Sequence, residues 1–175
     1  MDLPHSPRPL LSLAACLALA AIPPARMAAS ATTPLNKEAR MTALAKGSFD
    51  VTLTPLPQAA QPGGWAPGRM ALEKRFHGDL DATSQGEMLT AMTAVKGSAG
   101  YTAIEQVVGT LHGLRGTFLL QHSAVMSHGV PGDWTVQVVP DSGTGELKGL
   151  AGRMTITLTD GQHAYALDYS LPEAP

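Results

Sequence analysis

The stretch YTAIEQVVGTLHGLRGTFLLQHSAVM, Tyr101 to Met126, decides the fold. Its two arms, Tyr101 to Thr110 and Thr117 to Met126, are rich in β-branched, aromatic and aliphatic residues, and the glycine-punctuated LHGLRG between them reads as a turn. The pattern predicts a β-hairpin. With Gly113 and Leu114 as the two tip residues, glycine takes the first turn position, where a type II′ turn needs φ > 0. That register sets Glu105 across from His122, Gln106 from Gln121, Val107 from Leu120 and Gly109 from Phe118, with His112 facing Arg115. One face then carries Tyr101, Ala103, Glu105, Val107, Phe118, Leu120, His122 and Met126, apolar apart from Glu105 and His122. The other carries Thr102, Gln106, Thr110, Arg115, Thr117, Gln121 and Ser123, with Ile104, Val108 and Leu119 among them. A three-residue tip would slip the register by one and mix polar with apolar on both faces, so the segregation favours the two-residue loop.

The same alternation recurs outward from this hairpin. Upstream, Phe49, Val51 and Leu53 alternate with polar neighbours in Ser48 to Leu56, and Met70, Leu72, Lys74 and Phe76 do so in Arg69 to Leu80. Gly86 to Val95 is a further strand with Met88 and Met92 on one face. Downstream, Trp134, Val136 and Val138 share a face, Met154, Ile156 and Leu158 alternate with threonines, and Asp160-Gly161 turns that strand into Tyr165, Leu167 and Tyr169. About eight short strands with hairpin links and no convincing helix predict an all-β domain, a small closed antiparallel barrel in preference to a sandwich. Two connections stand out. Pro57 to Gly68 is a proline- and glycine-rich loop holding Trp65, which either folds back over the core or lids a ligand. Gly143 to Gly152 is glycine-dense but lacks the lysine and Ser/Thr of a phosphate-binding loop, so it reads as bulged turns.

The amino-terminal region has a different character. Arg8 precedes the apolar run Leu10 to Ile22, followed by Pro23-Pro24 and the small-residue site Ala29-Ser30-Ala31, which reads as a secretory signal peptide over residues 1–31 cut after Ala31. The run is too short for a spanning helix. A lipoprotein signal ending at Cys16 is the weaker reading, because the apolar run continues past that cysteine. The expected organisation is a signal peptide, a flexible leader over residues 32–46 and a single barrel domain over residues 47–175. The expected location is periplasmic or secreted, with no membrane span after processing. Cys16 is the one cysteine of the 175-residue chain, so the mature protein would hold no disulfide and no thiolate chemistry. Asp2, Arg8 and Arg26 leave with the signal, which turns twelve basic and fourteen acidic side chains into ten and thirteen. That balance gives no basic patch for nucleic acid.

With the apolar faces turned inward, the lumen is lined by Phe49, Val51, Leu53, Met70, Leu72, Phe76, Met88, Met92, Tyr101, Phe118, Leu120, Trp134, Val136, Ile156, Leu158, Tyr165 and Leu167. Lys74, Glu105 and His122 interrupt it. An apolar pocket with a few convergent polar groups is the usual form of a small-ligand site, so the candidate ligand contacts are Lys74, Tyr101, Glu105, Phe118, Leu120, His122, Trp134 and Tyr165. Glu105 beside His122 is the candidate acid and base pair, since burial and a cationic neighbour pull a carboxyl in opposite directions. Three functions stay open: binding of a small apolar molecule in the lumen, an isomerase or cyclase using that pair, and a structural or protein-binding barrel whose pair merely satisfies itself in a filled interior. Ser123 points to the opposite face from His122, which excludes a serine-histidine pair there. His77, His112, His122, His128 and His163 share no metal-ligand spacing, so neither a metal nor a cofactor is expected. Further copies of the chain are the other partner left open, as a homo-oligomer.

The central stretch, together with the later Trp134-Thr135-Val136 and SGTGELKGLAG, Ser142 to Gly152, resembles a bacterial family of unknown function, the domain of unknown function 3224. Blocks at Gly47-Ser48-Phe49, Phe76 to Leu80 and Leu167-Asp168-Tyr169 extend the resemblance over nearly all of the mature region. It is looser before Arg69, where the Pro/Gly loop departs from a shorter family pattern. The resemblance implies a small antiparallel barrel of the allene oxide cyclase type. It leaves activity open, because related barrels include both cyclases and binders.

Overall fold

The structure, a computed structural model, describes residues 40–58 and 66–173. The expected signal peptide, residues 32–39 of the leader and Trp65 lie outside the described residues. Eight strands follow in order: β1 (Arg40–Leu56), β2 (Gly68–Gly78), β3 (Leu80–Met92), β4 (Ala99–Leu111), β5 (Leu114–Ser127), β6 (Val130–Val138), β7 (Ala151–Thr159) and β8 (Gln162–Pro172). Each pairs antiparallel with the next, and β8 returns to β1, so the sheet closes into the expected barrel. No α-helix occurs among the described residues.

Closure rests on the length of β1. Its first half pairs with β8, from Arg40 opposite Pro172 to Phe49 opposite His163, and its second half pairs with β2, from Gly47 opposite Gly78 to Leu56 opposite Arg69. Residues 40–46 are therefore strand, which corrects the expected leader over residues 32–46 and the expected start at Ser48. Their alanines carry little strand propensity, and tertiary pairing overrides it: without this half, the edge of β8 would present unpaired backbone groups. The inward side of that half is small, Ala43, Ala45 and Gly47, and it receives the large Tyr169, Leu167 and Tyr165 opposite. β3 likewise begins at Leu80, six residues before the alternation around Met88 becomes visible, because its inward Ala82 and Ser84 are also small.

The central hairpin forms with a different tip. His112 and Gly113, at φ 47° and 83°, make the turn, and Leu111 faces Leu114. Two consecutive positive φ values define a type I′ turn, so the expected type II′ turn at Gly113-Leu114 is corrected. His128-Gly129 and Asp160-Gly161 repeat this pair of left-handed residues at the tips of the β5–β6 and β7–β8 hairpins. His112 is held in its strained conformation by neighbours: its backbone N–H donates to the Asp79 carbonyl at 2.8 Å, and its Nδ1 lies 2.7 Å from the Tyr169 hydroxyl. Moving the tip by one residue shifts every cross-strand partner. Glu105 faces Leu120, Val107 faces Phe118, Gly109 faces Gly116 and His122 faces Ala103. Parity survives the shift, so the division into inner and outer faces stands.

The barrel has a closed end and a mouth. At the closed end, the glycine-dense segment forms a short 3₁₀ turn at Gly145–Leu147 and drives Leu147 and Leu150 into the interior, each 1% exposed. Ser142, Thr144 and Glu146 on that segment accept hydrogen bonds from the backbone N–H groups of Leu119, Thr117 and Arg115, which extend beyond β6. Phe76, Leu80, Leu111, Phe118 and Leu167 fill the space above this plug at 0–1% exposure. At the mouth, the apolar side chains open to solvent. Leu53, Met92, Trp134 and Leu158 are 44%, 72%, 45% and 58% exposed, so these four expected lumen residues stand at the rim. The seam beside Trp134 is thin: β6 and β7 meet through one pair, Gln137 and Arg153. A register irregularity in β5 between Ala124 and Met126 bends the sheet on the other side of Trp134.

Candidate functional site

Four polar side chains point into the barrel where its filled half gives way to the mouth. Lys74 on β2 stands opposite Ser84 on β3, Glu105 lies one step further along on β4, and His122 follows on β5. They run diagonally across four successive strands, as the tilt of a barrel's strands dictates. Gly86 sits opposite Glu105, and a Cβ there would fall 2.1 Å from the Ile104 carbonyl oxygen. A bare glycine lets β3 and β4 close at this level.

Both oxygens of the carboxylate are hydrogen-bonded. Glu105 is 0% exposed; the Lys74 ammonium donates to its Oε1 at 2.6 Å and the Ser84 hydroxyl to its Oε2 at 2.5 Å. The Lys74 ammonium also lies 5.0 Å from the centre of the Phe49 ring and 5.7 Å from that of Phe76, within cation–π range of both. Charge, hydrogen bonds and ring faces together offset the cost of taking a cation and an anion out of water. The partner of Glu105 is thus Lys74, with His122 standing at 3.5 Å from the same Oε1. This corrects the expected Glu105 and His122 facing pair, and its cause is the one-residue move of the hairpin tip.

His122 is the unsatisfied member of the group. Its ring is 6% exposed, packs edge-on against Tyr101 with centroids 5.8 Å apart, and its Nε2 finds no hydrogen-bond partner among the described residues. Burial, reinforced by the Lys74 cation and opposed by the Glu105 anion, pushes its pKa down to about 4, so the imidazole is neutral at physiological pH.

Directly above lies a cavity of about 220 Å³ whose polar lining includes Lys74, His122 and His163 and whose walls include Val51, Leu53, Met88, Tyr101, Trp134 and Ile156. Of the expected ligand contacts, Lys74, Tyr101, His122 and Trp134 border it. Phe118 and Leu120 belong to the packed core, at 1% and 0% exposure. Tyr165 is structural: its hydroxyl accepts from the Leu80 backbone N–H at 2.8 Å and donates to the His77 carbonyl at 3.2 Å. Glu105 sits beneath the cavity, behind Lys74. Sequence reasoning missed Ser84 because the start of β3 was not recognised. Once β3 begins at Leu80, the period-two sequence Leu80, Ala82, Ser84 aims it inward.

An eight-stranded antiparallel barrel with an apolar mouth over a buried ion pair is the class this geometry defines. The chain belongs to the DUF3224 family of proteins of unknown function, whose profile matches residues 45–169. It is similar to the crystal structure of a protein of unknown function from that family in Shewanella oneidensis MR-1, with 52% sequence identity and a TM-score of 0.69 over 77% of this chain and 100% of the other. No curated protein matches the sequence.

The titration of His122 makes stability depend on pH with a definite sign. The unfolded chain binds the proton near the ordinary value of 6.5, the folded chain only near 4. As pH falls through that window the unfolded state takes up the proton first, so stability declines from pH 6.5 to pH 4, by on the order of 2 to 3 kcal/mol from this residue. Urea unfolding across that range checks it: His122→Asn is expected to flatten the slope, and an unchanged slope contradicts the assignment.

Proposed function

We propose that this protein is an exported carrier or sensor that binds a small, largely apolar molecule in the mouth of its barrel. The observation that carries the reading is the combination found in one cavity: apolar walls built from Val51, Leu53, Met88, Tyr101, Trp134 and Ile156 over a floor that offers Lys74 and His122. Concave, mainly apolar sites with a few convergent polar groups are where small molecules bind. Aromatic side chains at the rim, Tyr101 and Trp134, supply large contact area with few rotatable bonds. At about 220 Å³ the cavity suits a molecule smaller than a typical drug.

Binding is preferred to proton-transfer catalysis because of the state of Glu105. A general base must come within hydrogen-bond reach of the proton it abstracts, and Glu105, 0% exposed and held by Lys74 and Ser84, does not border the cavity. The isomerase or cyclase reading would require a substrate atom to reach this carboxylate past Lys74.

Titration of the ¹⁵N-labelled protein with indane, a compact hydrocarbon, tests the binding reading by NMR. Saturable shifts of the Trp134 indole and of the Tyr101 and His122 amides are expected, and Ile156→Lys should weaken them at least tenfold. Unsaturable or scattered shifts overturn it.

Export is supported by the apolar run Leu10 to Ile22 ahead of the Ala29-Ser30-Ala31 site. The mass of the protein recovered from its own host should correspond to a chain beginning at Thr32. A mass retaining the apolar run contradicts processing.

A further inference from the structure

We infer that the mouth cavity selects an uncharged molecule whose head is a hydrogen-bond-accepting oxygen, a ketone, ester or alcohol, received jointly by His122 Nε2 and the Lys74 ammonium. This deepens the binding reading and rests on it. The strongest single observation is that Nε2 of His122 is buried without a hydrogen-bond partner among the described residues while its ring borders the cavity. Buried polar atoms left unpaired cost free energy that a partner recovers, so each one calls for an explanation. A ligand atom in the adjoining cavity is the explanation that the geometry supplies.

The polarity of that atom follows from its surroundings. The Glu105 Oε1, 3.5 Å from Nε2, favours the tautomer that carries its proton on Nε2, so the imidazole offers a donor. Lys74 is a donor only, and one of its three ammonium hydrogens is engaged by Glu105. Lys74 Nζ and His122 Nε2 lie 2.6 Å and 3.5 Å from the same carboxylate oxygen, and both residues border the cavity. Two converging donors specify an acceptor.

The charge of the head is limited by the same groups. The Lys74 cation is balanced by Glu105, and His122 is neutral, so the floor of the cavity carries no net charge to compensate an ion. A carboxylate head would have to shed its water for a cation already neutralised by Glu105; an ammonium head would meet Lys74. Desolvation penalises both, and like charge at short range penalises the ammonium further. A neutral carbonyl or hydroxyl oxygen meets neither obstacle.

A series sharing one carbon skeleton separates these possibilities: indane, 1-indanone, 1-indanol and indane-1-carboxylate, each titrated into the full processed chain by NMR at neutral pH. The expected order places 1-indanone and 1-indanol about tenfold tighter than indane, the gain typical of satisfying a buried donor, with the carboxylate no tighter than indane. The Nε2 ¹⁵N resonance of His122 should shift with 1-indanone and stay in place with indane. In His122→Phe the ratio of 1-indanone affinity to indane affinity should fall toward one. If indane and 1-indanone bind equally, or the carboxylate binds tightest, the selectivity for a neutral oxygen is wrong and the mouth site itself stands. If none of the four binds, the binding reading falls and this inference with it. The Nε2 resonance of the wild-type protein decides the matter even where His122→Phe does not fold.

Discussion

The ion pair between Lys74 and Glu105, buried where the filled half of the barrel meets its mouth, is the constraint on which the rest of the molecule depends. A carboxylate with no exposure survives only where its charge is neutralised and its lone pairs are met. Lys74 supplies the first, Lys74 and Ser84 together the second, and these residues come from three neighbouring strands. The pair therefore ties the register of β2, β3 and β4 in a way that apolar packing alone would not. A one-residue slip of β2 or β4 would turn a charge to the outer face and leave its partner buried alone, and a slip of β3 would turn Ser84 away from the carboxylate.

Around that level the two halves of the barrel do different things. Below it, small residues on one strand face large ones on the next: Ala43, Ala45 and Gly47 against Tyr169, Leu167 and Tyr165, with Leu147 and Leu150 plugging the end. Above it, the inward residues are large but separated, so they enclose space. Trp134 stands at the seam where β6 and β7 share a single pair, which makes this wall the one least tied to its neighbour by backbone hydrogen bonds. Rigidity below and room above are what a binding site on a stable scaffold requires.

The fold was legible because period-two alternation is a direct consequence of strand geometry, and it was strong from Phe49 onward. Its failures fall on residues whose side chains are small. Residues 40–46 and 80–84 are strand, yet Ala43, Ala45, Ala82 and Ser84 give little hydrophobic contrast with their neighbours, and only long-range pairing with β8, β2 and β4 identifies them. The inward set of the central hairpin was legible for the same reason, but the partner of Glu105 was not. Register within one hairpin depends on which residue at the tip takes positive φ. His112 does so because Asp79 and Tyr169 hold it there, and those contacts come from distant parts of the chain. Lys74 was visible as the one cation on an apolar face, and a lone inward cation in the same barrel as a lone inward anion is itself a reason to pair them.

Unfolding free energies for Lys74→Met, Glu105→Leu and the double variant test the central claim most directly. The account expects each single change to cost about 3 to 5 kcal/mol by stranding a buried charge, and the double variant, with both charges gone, to be clearly more stable than either single one. Additive costs, or single variants as stable as the parent, would show that the two charges do not meet in the interior and would contradict the account.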